Sequence, residues 1–326
     1  MSSESYGATR PALRSLLFVP GTRTDWIPKA AAAGADAVIL DLEDAVPTGD
    51  RERARADTVR ALRDADPDGP ALFVRITALD SWTAADELRA LCGPGLAGVM
   101  LPKVTGPRDI EHADRLLTWC EEEQGLREGQ IALVPLLETA YALRSAYECA
   151  AASARVAYTG AVTGAGGDVE RAVGYRWSPE GTETHALRAR VLLDVRAAGS
   201  LHPVAGLWTR LGDLDGLRGF AESNRDLGYT GMLAVHPSHV PVLNAVFSPS
   251  PEDLDRAVRL LATLEKAQAE GRGAVAFEGE MVDEAMAETA RALLRRVGDH
   301  RDHVVVNVCR EHRPSVRGRE SGGRSM

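Results

Sequence analysis

The stretch Ile39-Leu40-Asp41-Leu42-Glu43-Asp44 is a short apolar run that ends in three carboxylates. Similar runs, each closed by a charged or turn-making group, recur along the chain. They end as Phe18-Val19-Pro20-Gly21, Phe73-Val74-Arg75, Met100-Leu101-Pro102-Lys103, Val134-Pro135-Leu136-Leu137-Glu138, Gly167-Asp168 and Val235-His236-Pro237. In a closed barrel of parallel strands, groups at the strand ends converge on one mouth, where active sites of this architecture lie. The pattern therefore predicts an enzyme.

Eight apolar runs have the character of buried parallel strands, because they are short, rich in leucine or β-branched residues and not alternating. They cover residues 14–20, 36–41, 71–76, 97–102, 131–137, 154–160, 200–206 and 231–236. Segments with a helical period lie between them, at 50–64, 107–123, 139–152, 184–198 and 214–227. Eight such units predict an α/β fold of the (β/α)8 TIM-barrel type. The weak run at 200–206 keeps an open parallel sheet as the alternative.

The barrel is expected to fill only part of the chain. We predict a flexible N-terminus over residues 1–12, the barrel over 13–247, a small C-terminal helical appendage over 248–298 and a disordered tail over 299–326. Ser250, followed by Glu252 and Asp253, is a typical helix start, with the helix running to about Glu270. The tail is predicted from its enrichment in His, Arg, Gly and Ser.

Composition excludes several classes of function. The 326 residues are 44% hydrophobic, enough for a large core, and the formal net charge of -9 argues against non-specific nucleic-acid binding. Four cysteines without a CxxC spacing indicate neither a zinc ribbon nor a disulfide framework, so a reducing cytoplasm is the expected compartment. No apolar run approaches the ~18 residues that a membrane span needs. We expect a soluble protein with no nucleic-acid or membrane partner.

Glu138 and Asp168 each follow an apolar run, which predicts that they lie on neighbouring parts of the mouth. Two carboxylates and several waters make a typical Mg²⁺ site, since this hard, small cation takes oxygen ligands. The alternative is that both acids only cap the helices that begin beside them.

Three cations flank this acidic pair. Arg75 ends the third run and suits a substrate carboxylate, whereas Lys29, which follows the first run together with Arg23, suits a phosphorylated cofactor tail. The alternative for Arg75 is a salt bridge with Glu43 or Asp44 at the rim.

The acids Asp41, Glu43 and Asp44 form a dense cluster in which like charges raise one another's pKa unless cations intervene. They could form a second shell around the waters of a metal ion, pair with Arg75, or lie in a solvated loop. His236 and His239 have a His-x-x-His spacing, but we favour packing and hydrogen bonding over zinc binding for them.

Taken together, these segments resemble the citrate lyase β-subunit-like family of the HpcH/HpaI aldolase superfamily, which includes malyl-CoA and citramalyl-CoA lyases. The resemblance covers roughly residues 14–297. It rests on Arg14-Ser15-Leu16-Leu17-Phe18-Val19-Pro20-Gly21, Leu40-Asp41-Leu42-Glu43-Asp44-Ala45-Val46, Val74-Arg75-Ile76, Leu101-Pro102-Lys103-Val104, Leu136-Leu137-Glu138-Thr139, Asp168 with Gly174, His236-Pro237 and Gly279-Glu280-Met281-Val282-Asp283.

The resemblance implies a (β/α)8 barrel in which Glu138 and Asp168 hold Mg²⁺ and Arg75 binds the acid end of a coenzyme A thioester. It also implies that Arg23 and Lys29 contact coenzyme A. Asp283 matches an acid that reaches into a neighbouring subunit's site, so a homo-oligomer, a trimer or hexamer, is expected. From its own sequence context, Asp283 reads as a helix N-cap.

Several positions depart from the family pattern. Thr77 replaces an Asn, His239 a Gln and Ala285 a Pro, while Leu201-His202-Pro203 replaces an Ile-Asp pair and the run before Asp168 lacks an acidic neighbour. The predicted metal ligands survive these changes, whereas the pocket that selects the acyl acceptor is expected to differ.

Three hypotheses follow. The first is a Mg²⁺-dependent carbon–carbon lyase that cleaves a citramalyl-, malyl- or citryl-CoA type of thioester to acetyl-CoA and a 2-oxo acid. The second keeps the metal for a pyruvate-type aldolase or a malyl-CoA thioesterase. The third is a non-catalytic CoA-binding protein.

Overall fold

The computed structural model describes residues 10–299, with side chains described to residue 295. Two compact units divide the chain, one ending at Ser248 and the other beginning at Pro249. The predicted disordered tail lies almost entirely outside the described residues, as do the first nine residues of the predicted flexible N-terminus.

Seven parallel strands form one sheet in the first unit. They are β1 (Ser15–Pro20), β2 (Ala37–Asp41), β3 (Ala71–Arg75), β4 (Gly98–Leu101), β5 (Ala132–Pro135), β6 (Val204–Ala205) and β7 (Gly231–Ala234). Their spatial order is β5-β4-β3-β2-β1-β7-β6, with every pair parallel. The predicted α/β barrel is confirmed, and its strands are buried on both faces as parallel strands require.

The run at 154–160 was predicted to be a strand but makes only a single parallel bridge, between Val156 and Leu133 of β5. The chain then runs alongside the end of β6, where the backbone N–H of Gly206 donates to the carbonyl of Ala161 at 3.0 Å. The two backbones approach so closely that a Cβ on Gly206 would lie 2.2 Å from the carbonyl oxygen of Thr163. This segment therefore closes the ring by close backbone contact, without a regular eighth strand.

Helices connect the strands on the outside of the barrel. They are α1 (Ile27–Ala32), α2 (Arg51–Arg63), α3 (Trp82–Leu91), α4 (Pro107–Gln124), α5 (Ala140–Arg144), α6 (Ala146–Ala151), α7 (Asp168–Val173), α8 (Thr182–Ala197), α9 (Leu214–Leu227) and α10 (His239–Phe247). Short 3-10 turns cover Gly21–Trp26 and Thr48–Asp50. The helix predicted over 139–152 is two helices, because the backbone of Ser145 leaves the helical region between them.

Side chains fill the inside of the barrel, as in other closed barrels of this size. Leu16, Ile39, Phe73, Met100 and Val134 belong to one buried cluster that these strands send inward. A cavity of about 10 Å³ is left between β1, β4, β5 and β7. The interior is therefore packed, and chemistry has to take place above it, at the strand ends.

The second unit contains α11 (Pro251–Ala269), β8 (Val275–Phe277), β9 (Glu280–Val282) and α12 (Glu284–Asp299). The predicted start of α11 is confirmed, since the Ser250 side chain accepts from the N–H of Asp253 at 3.0 Å. The appendage was predicted to be helical, yet β8 and β9 form an antiparallel hairpin. Its turn places Glu278 and Gly279 at positive φ, which a tight hairpin turn favours.

Candidate active site at the mouth of the barrel

Asp41 and Arg75 come to the mouth because they follow Ile39 and Phe73 by two residues. Side chains two apart along a strand point to the same face, so both continue the inward row of the barrel. The strand register pairs Asp41 of β2 directly with Arg75 of β3. Their side chains therefore lie next to each other just above the packed interior.

Arg75 is held by the acid cluster that the sequence placed beside it. Its Nε and Nη2 donate to the two carboxylate oxygens of Asp41 at 2.7 and 2.6 Å. Its Nη1 lies 3.2 Å from Oε2 of Glu43 and 3.6 Å from Oδ2 of Asp44. Burial alone would lower the pKa of Arg75, but the hydrogen bond and the three negative charges raise it above its usual range. Of the alternatives for this cluster, pairing with Arg75 is the one observed.

Lys103 joins the two sides of the mouth. Its Nζ donates to Oε1 of Glu43 and, at 3.2 Å, to Oδ1 of Asp44. Its backbone N–H donates to Oε2 of Glu138 at 2.9 Å. The residue has a φ of 51°, a left-handed conformation that is uncommon outside glycine and that is often found where a site imposes it.

Glu138 lies three residues beyond the end of β5 and is almost fully buried. Burial raises the pKa of its carboxyl, against the lowering effect of the Lys103 N–H and of the charge on Arg75. One carboxylate oxygen is oriented by that N–H, and the other accepts no hydrogen bond from the described residues. A buried carboxylate with one such oxygen is suited to bind a cation.

The mouth carries a surplus of negative charge. Among the side chains of residues 10–295, Arg75 and Lys103 are the two cations that lie beside Asp41, Glu43, Asp44 and Glu138. Burial also raises the pKa of Glu43, although Lys103 and Arg75 oppose the shift. Ionised, the four acids exceed the two bases by two charges, which a divalent cation would neutralise.

Asp168 is the first residue of α7, the six-residue helix that packs against α5. Its carboxylate is paired with the exposed side chain of Arg171, one turn further along the helix. Glu138 lies two residues before α5, and Asp168 begins α7. The two predicted metal ligands are thus each near the start of one of two helices that pack together. Their roles in binding a metal remain a prediction.

Arg23 and Lys29 lie beyond β1, outside the charged cluster of the mouth. Arg23 pairs with Asp25 at 2.9 Å and its guanidinium stacks 4.0 Å from the ring centre of Trp26. The Arg23–Asp25 hydrogen bond raises the pKa of Arg23. Lys29 is exposed on α1. Both side chains can meet solvent, as contacts to a phosphorylated ligand would require, and that role also stays a prediction.

Asp283 belongs to the second unit, where it caps α12. Its Oδ1 accepts from the N–H groups of Ala285 at 3.0 Å and Met286 at 3.3 Å. The cap that its sequence context indicated is thus present. The departure at Ala285 has a consequence here, because a proline at that position has no N–H to donate.

Other departures also take part in the local packing. Thr77 donates from its N–H and its hydroxyl to one oxygen of Glu87, at 2.8 and 3.1 Å. His202 stacks on Tyr158 with 6.5 Å between ring centres. His239 is wholly buried, and neither ring nitrogen has a hydrogen-bond partner of good geometry. Of the packing and hydrogen bonding expected for the histidine pair, His239 shows the packing alone, while Nδ1 of His236 lies 2.8 Å from the hydroxyl oxygen of Ser238.

A magnesium ion fits the donor set of the mouth. Within residues 10–299, no group of three or more His, Cys, Asp or Glu side chains is arranged around a common point. A site of two carboxylates that leaves its other positions to water and substrate oxygens is how Mg²⁺ is usually held. Glu138 and Asp168 are the candidates for these two carboxylates.

Comparison with known families decides the ancestry of the chain. The family described as HpcH/HpaI aldolase/citrate lyase matches residues 14–237, which include every strand of the barrel. The chain belongs to this family. The resemblance seen in the sequence motifs is thereby confirmed.

Relatives in the HpcH/HpaI family cover most of the chain. The (3S)-malyl-CoA thioesterase of Cereibacter sphaeroides is 33% identical, over 87% of this chain and 94% of its own length. The L-malyl-CoA/beta-methylmalyl-CoA lyase of Rhodobacter capsulatus is 34% identical, over the same shares. The CitE protein of Mycobacterium tuberculosis, in a crystal structure with magnesium, acetoacetate and coenzyme A, is 31% identical with a TM-score of 0.67, over 88% of this chain and 98% of that one.

Sequence reasoning missed the contacts that Lys103 makes across the mouth. The strand-end rule placed Lys103 at the mouth with Arg75, but its bonds to Glu43, Asp44 and Glu138 were not foreseen.

No described helix combines the length and the apolar composition needed to cross a lipid bilayer.

Proposed function

We propose that this protein is a Mg²⁺-dependent carbon–carbon lyase that cleaves a malyl-, citramalyl- or citryl-CoA type of thioester. The observation that carries the proposal is the buried Glu138 carboxylate at a mouth where four acidic side chains lie beside two basic ones, Arg75 and Lys103. A hydroxy-carboxylate substrate is itself an anion, so it binds there only together with a cation. The relatives named for malyl-CoA chemistry and the CitE complex with magnesium and coenzyme A support the same assignment.

The reaction that we propose breaks one carbon–carbon bond. The substrate hydroxyl loses its proton and becomes a carbonyl, while the electrons of the broken bond pass to the α-carbon of the thioester. The resulting enolate takes up a proton to give acetyl-CoA, and the other product is a 2-oxo acid. Magnesium, held by Glu138 and Asp168, would supply Lewis acidity and a template for the hydroxy-carboxylate end.

Residues of the chain act around this step. Nη1 of Arg75 is near Glu43 without an aligned hydrogen bond, so its N–H groups can donate to the substrate carboxylate and stabilise developing charge. Asp41, Glu43 and Asp44 form the surrounding shell that fixes Arg75. Arg23 and Lys29 bind the phosphates of coenzyme A from outside the mouth.

Asp283 of the partner subunit is proposed as the acid–base group that moves the proton at the acetyl carbon. This role needs a homo-oligomer, a trimer or hexamer, in which the second unit of one protomer serves the barrel of the next. The expected setting is the cytoplasm, where acyl-CoA thioesters are formed.

A thioesterase is the second candidate, because the Cereibacter relative with that name is as similar as the lyases. The two reactions have different products. Purified protein should be incubated with malyl-, citramalyl- and citryl-CoA, with Mg²⁺ or with a chelator, and the products read by mass spectrometry. Acetyl-CoA and a 2-oxo acid, formed only with the metal, support the lyase. Free coenzyme A with the intact hydroxy acid supports the thioesterase, and no turnover of any thioester contradicts both.

A further inference from the structure

The segment 164–181 between β5 and α8 carries Asp168 but has little regular structure. It contains α7, which has only six residues, and turns at Gly166 and Gly174, both at positive φ. A helix this short does not hold its own place, since isolated short helices are marginal in water. Beyond the packing of α7 on α5, the position of Asp168 therefore depends on bonds made by the rest of the segment.

One carboxylate, that of Glu170, ties the two ends of this segment together. Oε2 accepts from the backbone N–H of Gly166, before α7. Oε1 accepts from the backbone N–H of Trp177, after α7, at 3.2 Å. The two donors are eleven residues apart along the chain, so Glu170 closes a loop around the helix that begins with Asp168.

The later end of that loop is anchored in the barrel. The Trp177 ring packs edge-on against Phe220 of α9, with 5.2 Å between ring centres, and against the buried Trp208 at 6.2 Å. Tyr175 adds a further tie, because its hydroxyl donates to the carbonyl of Gly164 at 3.3 Å. Glu170 thus connects α7 to a point that is fixed by core packing.

We propose that Glu170 is a positioning residue that holds Asp168 in place for magnesium. The inference rests on the proposed function, since it takes Asp168 as a metal ligand. Glu170 touches neither metal nor substrate. Loss of its carboxylate would release α7 from Gly166 and from the anchored Trp177 and let the helix move. Binding would then require that the segment be ordered again.

The test measures magnesium binding directly. Metal-free wild type, Glu170→Ala, Glu170→Gln and the control Glu180→Gln, an exposed acid of the same segment, are titrated with MgCl₂ by calorimetry. We expect the Kd of Glu170→Ala to rise by about 10- to 100-fold, the usual cost of losing an outer-shell partner. Glu170→Gln keeps one acceptor oxygen, so its Kd should lie between those of wild type and Glu170→Ala. The Kd of the control should stay within about twofold of wild type.

Turnover separates positioning from general damage. If Glu170 acts only through Asp168, the Glu170→Ala enzyme should recover its kcat to within about threefold at saturating Mg²⁺, with an unchanged near-ultraviolet dichroism spectrum. An unchanged Kd would overturn the inference, and so would a raised Kd with no recovery of kcat. If the wild type binds Mg²⁺ and Glu138→Gln abolishes binding while Glu170→Ala does not, the inference alone fails. A wild type that binds no Mg²⁺ contradicts the proposed function and the inference together.

Discussion

Buried arginines lie near both ends of the barrel, and their surroundings differ. Beside the amino end of β5, Arg155 binds Glu121. The two carboxylate oxygens of Glu121 also accept from the N–H groups of Gly129 and Ile131 at 2.8 Å. At the mouth, Arg75 is surrounded by more acids than cations, and an oxygen of Glu43 is left without a hydrogen bond. A buried network in which every polar atom has a hydrogen-bond partner is typical of a stabilising role. A network that leaves a buried polar atom without a partner is typical of a site that binds a ligand.

The largest expected effect is on stability, in the network of Arg155 and Glu121. Glu121→Ala leaves Arg155 buried without its main partner and leaves two backbone N–H groups without an acceptor. We expect a loss of about 3–5 kcal/mol in the free energy of unfolding, measured by urea denaturation. Activity per folded molecule should stay near that of wild type. A loss under about 1 kcal/mol would contradict the stabilising role of the Arg155–Glu121 network.

At the mouth, we expect the opposite division between stability and activity. Glu138→Gln keeps an oxygen that accepts from the Lys103 N–H but removes the charge. Since burial raises the pKa of Glu138, the neutral amide should leave the free energy of unfolding unchanged or slightly higher. Turnover should fall by at least about 10²-fold, read from acetyl-CoA release at saturating substrate. Retention of most activity would remove Glu138 from the chemistry.

The buried His239 makes the stability of the protein depend on pH. Burial, and then the charge of His236, lowers the pKa of His239 below its usual 6.5. The unfolded chain therefore takes up a proton below pH 6.5 before the folded chain does, and stability falls as the pH drops through that window. The slope for this one group is at most about 1.4 kcal/mol per pH unit. In His239→Leu this part of the slope should vanish, which unfolding titrations from pH 7.5 to 5 can check; an unchanged slope would contradict the assignment.

The smallest expected effect concerns the pair between Arg171 and Asp168. Arg171 is largely exposed, so the pair contributes little, and a metal ion would have to displace it from the carboxylate. Arg171→Ala should tighten Mg²⁺ binding by no more than about fivefold, measured by calorimetry at low ionic strength. Weaker binding in this variant would mean that Arg171 supports Asp168 rather than competing with a metal.

Much of the fold could be predicted because each strand carries its own signal. Apolar runs with charged ends identified β1 to β5 and β7 within a residue or two, and the rule that strand ends converge brought Asp41, Arg75 and Glu138 to one mouth. The run at 154–160 looks like the others in sequence, yet it closes the ring through tight backbone contact at Gly160 and Gly206. No local pattern reports such a contact.

The site was less predictable where partners are distant in sequence. The pairing of Arg75 with Asp41 depends on a register across 34 residues, and the backbone N–H of Lys103 reaches Glu138 across 35. The hairpin of β8 and β9 was missed because its strands have only three residues each. In these places tertiary contacts, rather than local preference, determine the structure.

The central claim is that Glu138 and Asp168 jointly bind a divalent cation. It can be tested most directly by growing crystals with Mn²⁺ in place of Mg²⁺ and locating the ion by its anomalous scattering. The account predicts one strong peak at the mouth, about 2–2.3 Å from an oxygen of each carboxylate, with Arg171 withdrawn from Asp168. A peak elsewhere, or none at the mouth, with the two carboxylates turned away from each other, would contradict it.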